Sequence, residues 1–273
     1  RQGRRPRSEL SAERRLGRAI MPRFHAGFSV GTVAGALLGA GMVALQVPVA
    51  AHLLGVAVLI GVGVPLAVRG FLPDNAEQDT AEDHAEPGQR GPRWNALHAW
   101  LEPRTLLIGV FVLAFAFAEG TGNDWIGVAL IDGYGTSAAV GTLGFAAFLA
   151  AMTAGRWFGP SSLDRYGRVI VIRVLTVICL LGVLLFVFGT HVIVAFIGAV
   201  LWGVGLALGF PVGMSAGADE PAMAAPRVSV IASIGYCAFL AGPPLIGFLG
   251  DNFTVLRAVL AVAVLLAVAI MIT

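Results

Sequence analysis

The feature that most constrains this chain is a run length. Apolar stretches of about 20 residues, enough for a helix to cross the hydrocarbon core of a bilayer, recur along it and are separated by short polar turns. The clearest turn is Gly155-Arg156-Trp157-Phe158-Gly159-Pro160-Ser161-Ser162-Leu163-Asp164-Arg165-Tyr166-Gly167-Arg168. It lies between residues 136–158, uncharged before Arg156, and residues 169–189, apolar apart from Arg173. Backbone groups in hydrocarbon must satisfy one another, so runs of this kind become helices. An all-α, polytopic membrane protein follows. With 57% hydrophobic and 12% charged residues the chain is too apolar for a soluble domain of 273 residues.

Eight spans are expected, at residues 24–47, 50–68, 105–122, 136–158, 169–189, 191–216, 228–249 and 254–273. They divide the chain into a basic tail (1–23), a helical hairpin (24–70), a polar linker (71–103) and a six-helix bundle (104–273). The tail carries Arg at 1, 4, 5, 7, 14, 15, 18 and 23 against Glu9 and Glu13. It reads as a basic segment at a membrane surface rather than a nucleic-acid-binding arm. The linker holds Asp74, Glu77, Asp79, Glu82, Asp83 and Glu86, a composition that cannot bury a core. Placing the tail in the cytoplasm puts nearly every Arg on a cytoplasmic segment, Arg257 being the exception, so a multi-pass protein of the cell (inner) membrane with both termini cytoplasmic is expected.

Within the spans, glycines recur every fourth residue. Gly27, Gly31, Gly35 and Gly39 form one stripe, and Gly205, Gly209, Gly213 and Gly217 another, each suited to close approach of a neighbouring helix. Pro211 interrupts the second stripe, and Gly242, Pro243 and Pro244 interrupt residues 228–249, so both spans should bend.

Enzymatic chemistry finds no foothold. Cys179 and Cys237 lie in apolar runs, the five His are scattered at segment ends and in the linker, and no P-loop is present. Ser29 and His25 share a helix face but lie in a glycine-rich stripe. No metal, cofactor or catalytic set is expected.

The turn contains Asp164-Arg165-Tyr166-Gly167-Arg168, which resembles the D-R-x-G-R core of the loop between the second and third helices of each half of the major facilitator superfamily. The family usually places a glycine four residues before the Asp; here Gly159 precedes Asp164 by five. The motif follows the second of six spans, with a polar linker before the six, as that family has it. Gly242-Pro243-Pro244-Leu245-Ile246-Gly247 is similar to the family's eleventh helix. Glu119 to Trp125 and Gly155 to Gly159 resemble bacterial members near the fucose permease branch.

The resemblance implies helices five and six, the loop between bundles, and helices seven to twelve. A complete cavity would then need the missing N-terminal helices or a partner chain. It implies a secondary transporter of a small sugar-like or drug-like solute working by alternating access, with proton coupling by analogy. The alternative is a non-transporting fragment or accessory protein. Its partners are membrane lipid, a small solute and, if coupled, protons.

In the loop, Asp164 can accept from backbone N–H groups and lies in sequence reach of Arg165 and Arg168, while Gly167 permits a turn that a side chain would obstruct. The resemblance adds a latch between bundles; a plain topology anchor is the other reading. Polar groups inside spans are the ligand candidates, since a charge there is costly. Glu119 falls in the outer part of its expected span, followed by Gly120-Thr121-Gly122, a sequence that weakens a helix, and by Asn123, Asp124 and Trp125. This cluster is either a ligand contact or an outer interface. Trp202 either stacks on a ligand or packs in the core, and Tyr236 offers a hydroxyl.

Overall fold

The computed structural model describes residues 21–69, 92–220 and 223–273. Most of the basic tail and of the acidic linker therefore lies outside the described residues. The helices are α1 (Met21–Ala44), α2 (Val49–Val68), α3 (Pro92–Leu101), α4 (Pro103–Tyr134), α5 (Ala138–Phe158), α6 (Pro160–Tyr166), α7 (Arg168–Phe188), α8 (Val192–Leu206), α9 (Gly209–Gly217), α10 (Ala224–Asn252), α11 (Val255–Ala258) and α12 (Leu260–Ile272). Among the described residues 7 segments are long and apolar enough to cross a membrane, with α8–α9 and α11–α12 each counting as one; α1 adds the shorter apolar stretch Val30–Ala44.

The bundle is organised around α4. It packs against α5, α8, α9, α10, α11 and α12, and 67% of its apolar window is buried, against none for α2. The expected end of this span near Gly122 is corrected by a helix of 32 residues. Glycine weakens a helix only where nothing else holds it, and here packing does. A Cβ on Gly120 would come 3.2 Å from the Phe239 ring, and one on Gly122 would come 2.5 Å from the Phe148 ring. The helix stops instead at Gly135, whose φ of 65° gives it the left-handed cap that glycine adopts at least cost.

Backbone meets backbone where α7 packs on α8. A Cβ on Gly198 would lie 2.5 Å from the Phe186 nitrogen, and one on Gly205 would lie 2.5 Å from the Cys179 nitrogen. The stripe that Gly205 begins does not face one neighbour: Gly209 and Gly213 meet Phe115 and Val112 of α4, and Gly217 meets Ile231 of α10. The break between Leu206 and Gly209 redirects it. On α10, Pro243 and Pro244 lie inside one continuous helix from Ala224 to Asn252. α10 runs parallel to α4, with Gly109 beside Ile234, Gly242 beside Phe117 and Gly247 beside Trp125.

The stripe on α1 behaves differently from expectation. α1 lies against α5, but it is Ala36 and Ala40 that are buried. A Cβ on Gly31, Gly35 or Gly39 would meet nothing within 4 Å, and the surroundings of Gly27 are outside the described side chains. The alanines occupy the face toward α5, so the glycines are left on open faces of the helix.

Candidate functional site

From Phe111 to Gly122 every residue of α4 is buried except Leu113 and Glu119. Glu119 is the lone charge in that stretch. It is about 24 Å from Pro103 at 1.5 Å per residue, which places it at mid-helix rather than in the outer part of the span. The correction follows from the length of α4, which runs well past Gly122 to Tyr134. Its carboxylate accepts two bonds from Arg156 Nη2, at 2.9 and 3.0 Å. Arg156 lies near the end of α5, and its Nε donates to the Ala207 carbonyl oxygen at 3.4 Å. The side chains are 29% and 17% exposed for Arg156 and Glu119. Three helical segments thus meet at one guanidinium.

The other sequence candidates do not all converge there. Asn123, one turn beyond Glu119 on the same helix face, is exposed, as is Asp124. The Trp125 ring lies against Gly247, and its Nε1 is buried without a partner. Tyr236 is exposed on α10. Trp202 is fully buried, with edge-to-face contacts to Phe148 at 5.7 Å and Phe186 at 5.8 Å. It belongs to the core, away from any open face. The residue missed as a site member was Arg156. The available signal was that a charge inside a span needs a partner.

A second charged cluster caps the bundle where α4, α7 and α10 begin. Arg168 is bidentate to Asp219, at 2.8 and 3.1 Å, and Arg104 adds a contact of 3.3 Å. Arg227, almost fully buried, donates to both oxygens of Glu102 at 2.7 and 2.8 Å and to Glu220 at 2.8 Å. Thr105 donates to Glu102 at 2.7 Å. The Arg227 guanidinium beside Glu102 holds its carboxyl below the usual range, and Arg168 does the same for Asp219.

Because both folded-state values are lowered, this cluster contributes stability above the ordinary carboxylate range and loses it as pH falls through the lowered values. Thermal unfolding between pH 3 and 7 should show that acid loss, and Arg227→Gln should flatten it. A midpoint equally acid-sensitive in Arg227→Gln would assign the loss elsewhere.

The loop itself departs from expectation. Asp164 does not pair with Arg168: its side chain is exposed and makes no hydrogen bond or ion pair among the described residues. The reason is Gly167, whose φ of 80° and ψ of 159° turn the chain so that Arg168 opens α7 and reaches Asp219. Arg165 lies over the Tyr166 ring, 5.1 Å from its centroid, and Gly159 packs under Leu208. Backbone of the Gly167 kind is essentially closed to other residues and costs about 1–3 kcal/mol when forced. Gly167→Ala should therefore destabilise the protein by about 1–3 kcal/mol and loosen the Arg168–Asp219 pair; an unchanged unfolding midpoint would contradict it.

The profile of the Major Facilitator Superfamily matches residues 8–225. The chain belongs to that superfamily. It is 33% identical over 247 residues to an uncharacterised transporter of Sinorhizobium fredii, covering 89% of this chain and 61% of the relative. It is 31% identical over 255 residues to an uncharacterised MFS-type transporter of Yersinia pestis, covering 93% of this chain and 63% of the relative. The chain thus spans less than two thirds of either relative. A crystal structure of the E. coli fucose:proton symporter shares the fold, with a TM-score of 0.63, 16% identity, and coverage of 70% of this chain and 47% of that one. In this superfamily member the arginine of the Gly155-Arg156 pair is the one that meets Glu119.

Proposed function

We propose that this chain forms part of a secondary transporter that carries a small sugar-like or drug-like solute across a cell membrane by alternating access, with the Glu119–Arg156 pair in the path. The observation that carries the reading is that pair. Charge at mid-depth in an apolar bundle is retained at a cost, and here it is the sole charge on the buried stretch of α4. Membership of the superfamily and the two transporter relatives give it a context.

Proton coupling is the second half of the proposal. A carboxylate held by one arginine can take up a proton only by weakening that pair, so protonation and the packing of α4 on α5 are linked. The candidate groups around it are Asn123 and Asp124 on the same helix. The rim cluster and the unpaired Asp164 would lie on the cytoplasmic side, with Asp164 free to meet an opposing bundle. Asp164→Asn with normal insertion and altered transport would support that latch; unchanged transport would remove it.

The test is uptake and exchange of a panel of labelled sugars and amphipathic cations in proteoliposomes holding the native polypeptide. Glu119→Gln should abolish accumulation driven by a proton gradient while exchange at equal concentrations persists. Accumulation that survives in Glu119→Gln would remove Glu119 from coupling. Failure of every solute to exchange through the wild type would count against transport by this set.

A further inference from the structure

A proline inside a helix removes the N–H that would bond the carbonyl four residues earlier. Pro211 therefore deprives the Ala207 carbonyl of its ladder partner, at the point where α8 gives way to α9. The backbone around it is irregular. The Ala207 nitrogen donates to Val204 at 3.2 Å, a tighter turn than the α-helical one, and the ladder resumes only where the Val212 nitrogen donates to Leu208 at 3.0 Å. In an apolar bundle an unmet carbonyl is expensive, and proline-broken spans persist where a neighbouring group satisfies it.

The neighbour here is Arg156. Its Nε–H is directed at the Ala207 oxygen, 3.4 Å away, while Nη2 is held by both oxygens of Glu119. A guanidinium is planar, so holding its Nη2 on both oxygens of a carboxylate restricts the direction of the other N–H groups. We propose that Arg156 is a positioning residue that replaces the N–H missing at Pro211 and so holds the bend between α8 and α9, with Glu119 keeping the guanidinium aimed. The brace ties α4, α5 and the broken helix together at one point. It is a property of the bundle, read without any solute.

A plain ion pair and a brace respond differently to exchange of the charges. A pair survives the swap. A brace does not, because a carboxylate on α5 has no N–H to give the Ala207 oxygen and would repel it. In the purified protein, Glu119→Arg with Arg156→Glu should leave the unfolding midpoint below wild type. The backbone amides of Leu208, Gly209, Phe210 and Val212 should exchange roughly tenfold faster, the scale set by losing a hydrogen bond to a charged group. Adding Pro211→Ala, which supplies the missing N–H, should restore slow exchange there.

A neutral background provides a second arm should the swapped chain fail to fold. Glu119→Gln with Arg156→Met leaves no unpaired charge, yet the same amides should still exchange faster, and Pro211→Ala should again reverse it. Two results would overturn the brace: a charge swap with wild-type midpoint and exchange, or a neutral double variant whose exchange at 208–212 is unchanged from wild type.

Discussion

Arg156→Ala should destabilise the protein by about 3–5 kcal/mol, the range for breaking a buried pair by removing one partner. The loss arises because Glu119 is left without its partner on the buried stretch of α4 and the Ala207 carbonyl is left unmet. Partial exposure of the two side chains, 29% and 17%, puts the expectation toward the lower end. Removing both charges should be far milder than removing one, because a neutral pair carries no uncompensated charge. The double variant Glu119→Gln/Arg156→Met should therefore recover most of the loss. Denaturant or thermal unfolding of Glu119→Gln, Arg156→Met and the double gives the coupling directly. Additive losses would mean that the two groups do not depend on each other.

Gly198→Leu should prevent the bundle from assembling. The Gly198 position faces backbone on α7: an added Cβ would lie 2.5 Å from the Phe186 nitrogen and 2.7 Å from the Gly182 carbonyl oxygen. A side chain can be moved aside by a rotamer change, whereas two helix backbones must separate along their length. Overpacking ordinarily costs about 1–3 kcal/mol and more where nothing can give; this seam is of the second kind. Even Gly198→Ala should lower the midpoint measurably. Gly31→Ala is the internal control, since open space surrounds that position, and it should not lower the midpoint, alanine being favoured over glycine by about 1 kcal/mol inside a helix. Equal behaviour of Gly198→Ala and Gly31→Ala would contradict the packing described.

The fold was legible because hydrocarbon permits so few solutions: apolar runs between charged turns can hardly be anything but a helical bundle. What misled was local propensity. Gly120-Thr121-Gly122 reads as a helix end, but Phe239 and Phe148 pack onto those glycines and the helix runs on to Gly135. The same limit explains the two glycine stripes. Period alone cannot say whether a smooth face meets a neighbour, as at Gly205, or open space, as at Gly35.

The site was half legible. A charge inside a span drew attention to Glu119, but its partner comes from a segment that reads as the edge of a surface turn. Only the antiparallel packing of α4 on α5 brings Arg156 to mid-helix. Trp202 illustrates the reverse case, an aromatic that composition allows as a ligand surface and that Phe148 and Phe186 hold inside the core. For Arg168, the loop motif pointed to local pairing with Asp164, and the turn at Gly167 sends it to Asp219 instead.

Accessibility of Asn123 tests the transport reading most directly, because it requires no knowledge of the solute. Asn123 is exposed one turn from Glu119, and Cys179 is buried, so Asn123→Cys with Cys237→Ser leaves one accessible thiol among the described residues. The native polypeptide with these changes would be treated with a membrane-impermeant maleimide in right-side-out and in inside-out vesicles. Alternating access predicts alkylation from both sides, since the same position opens to each in turn. Alkylation from one side only, or from neither, would contradict it.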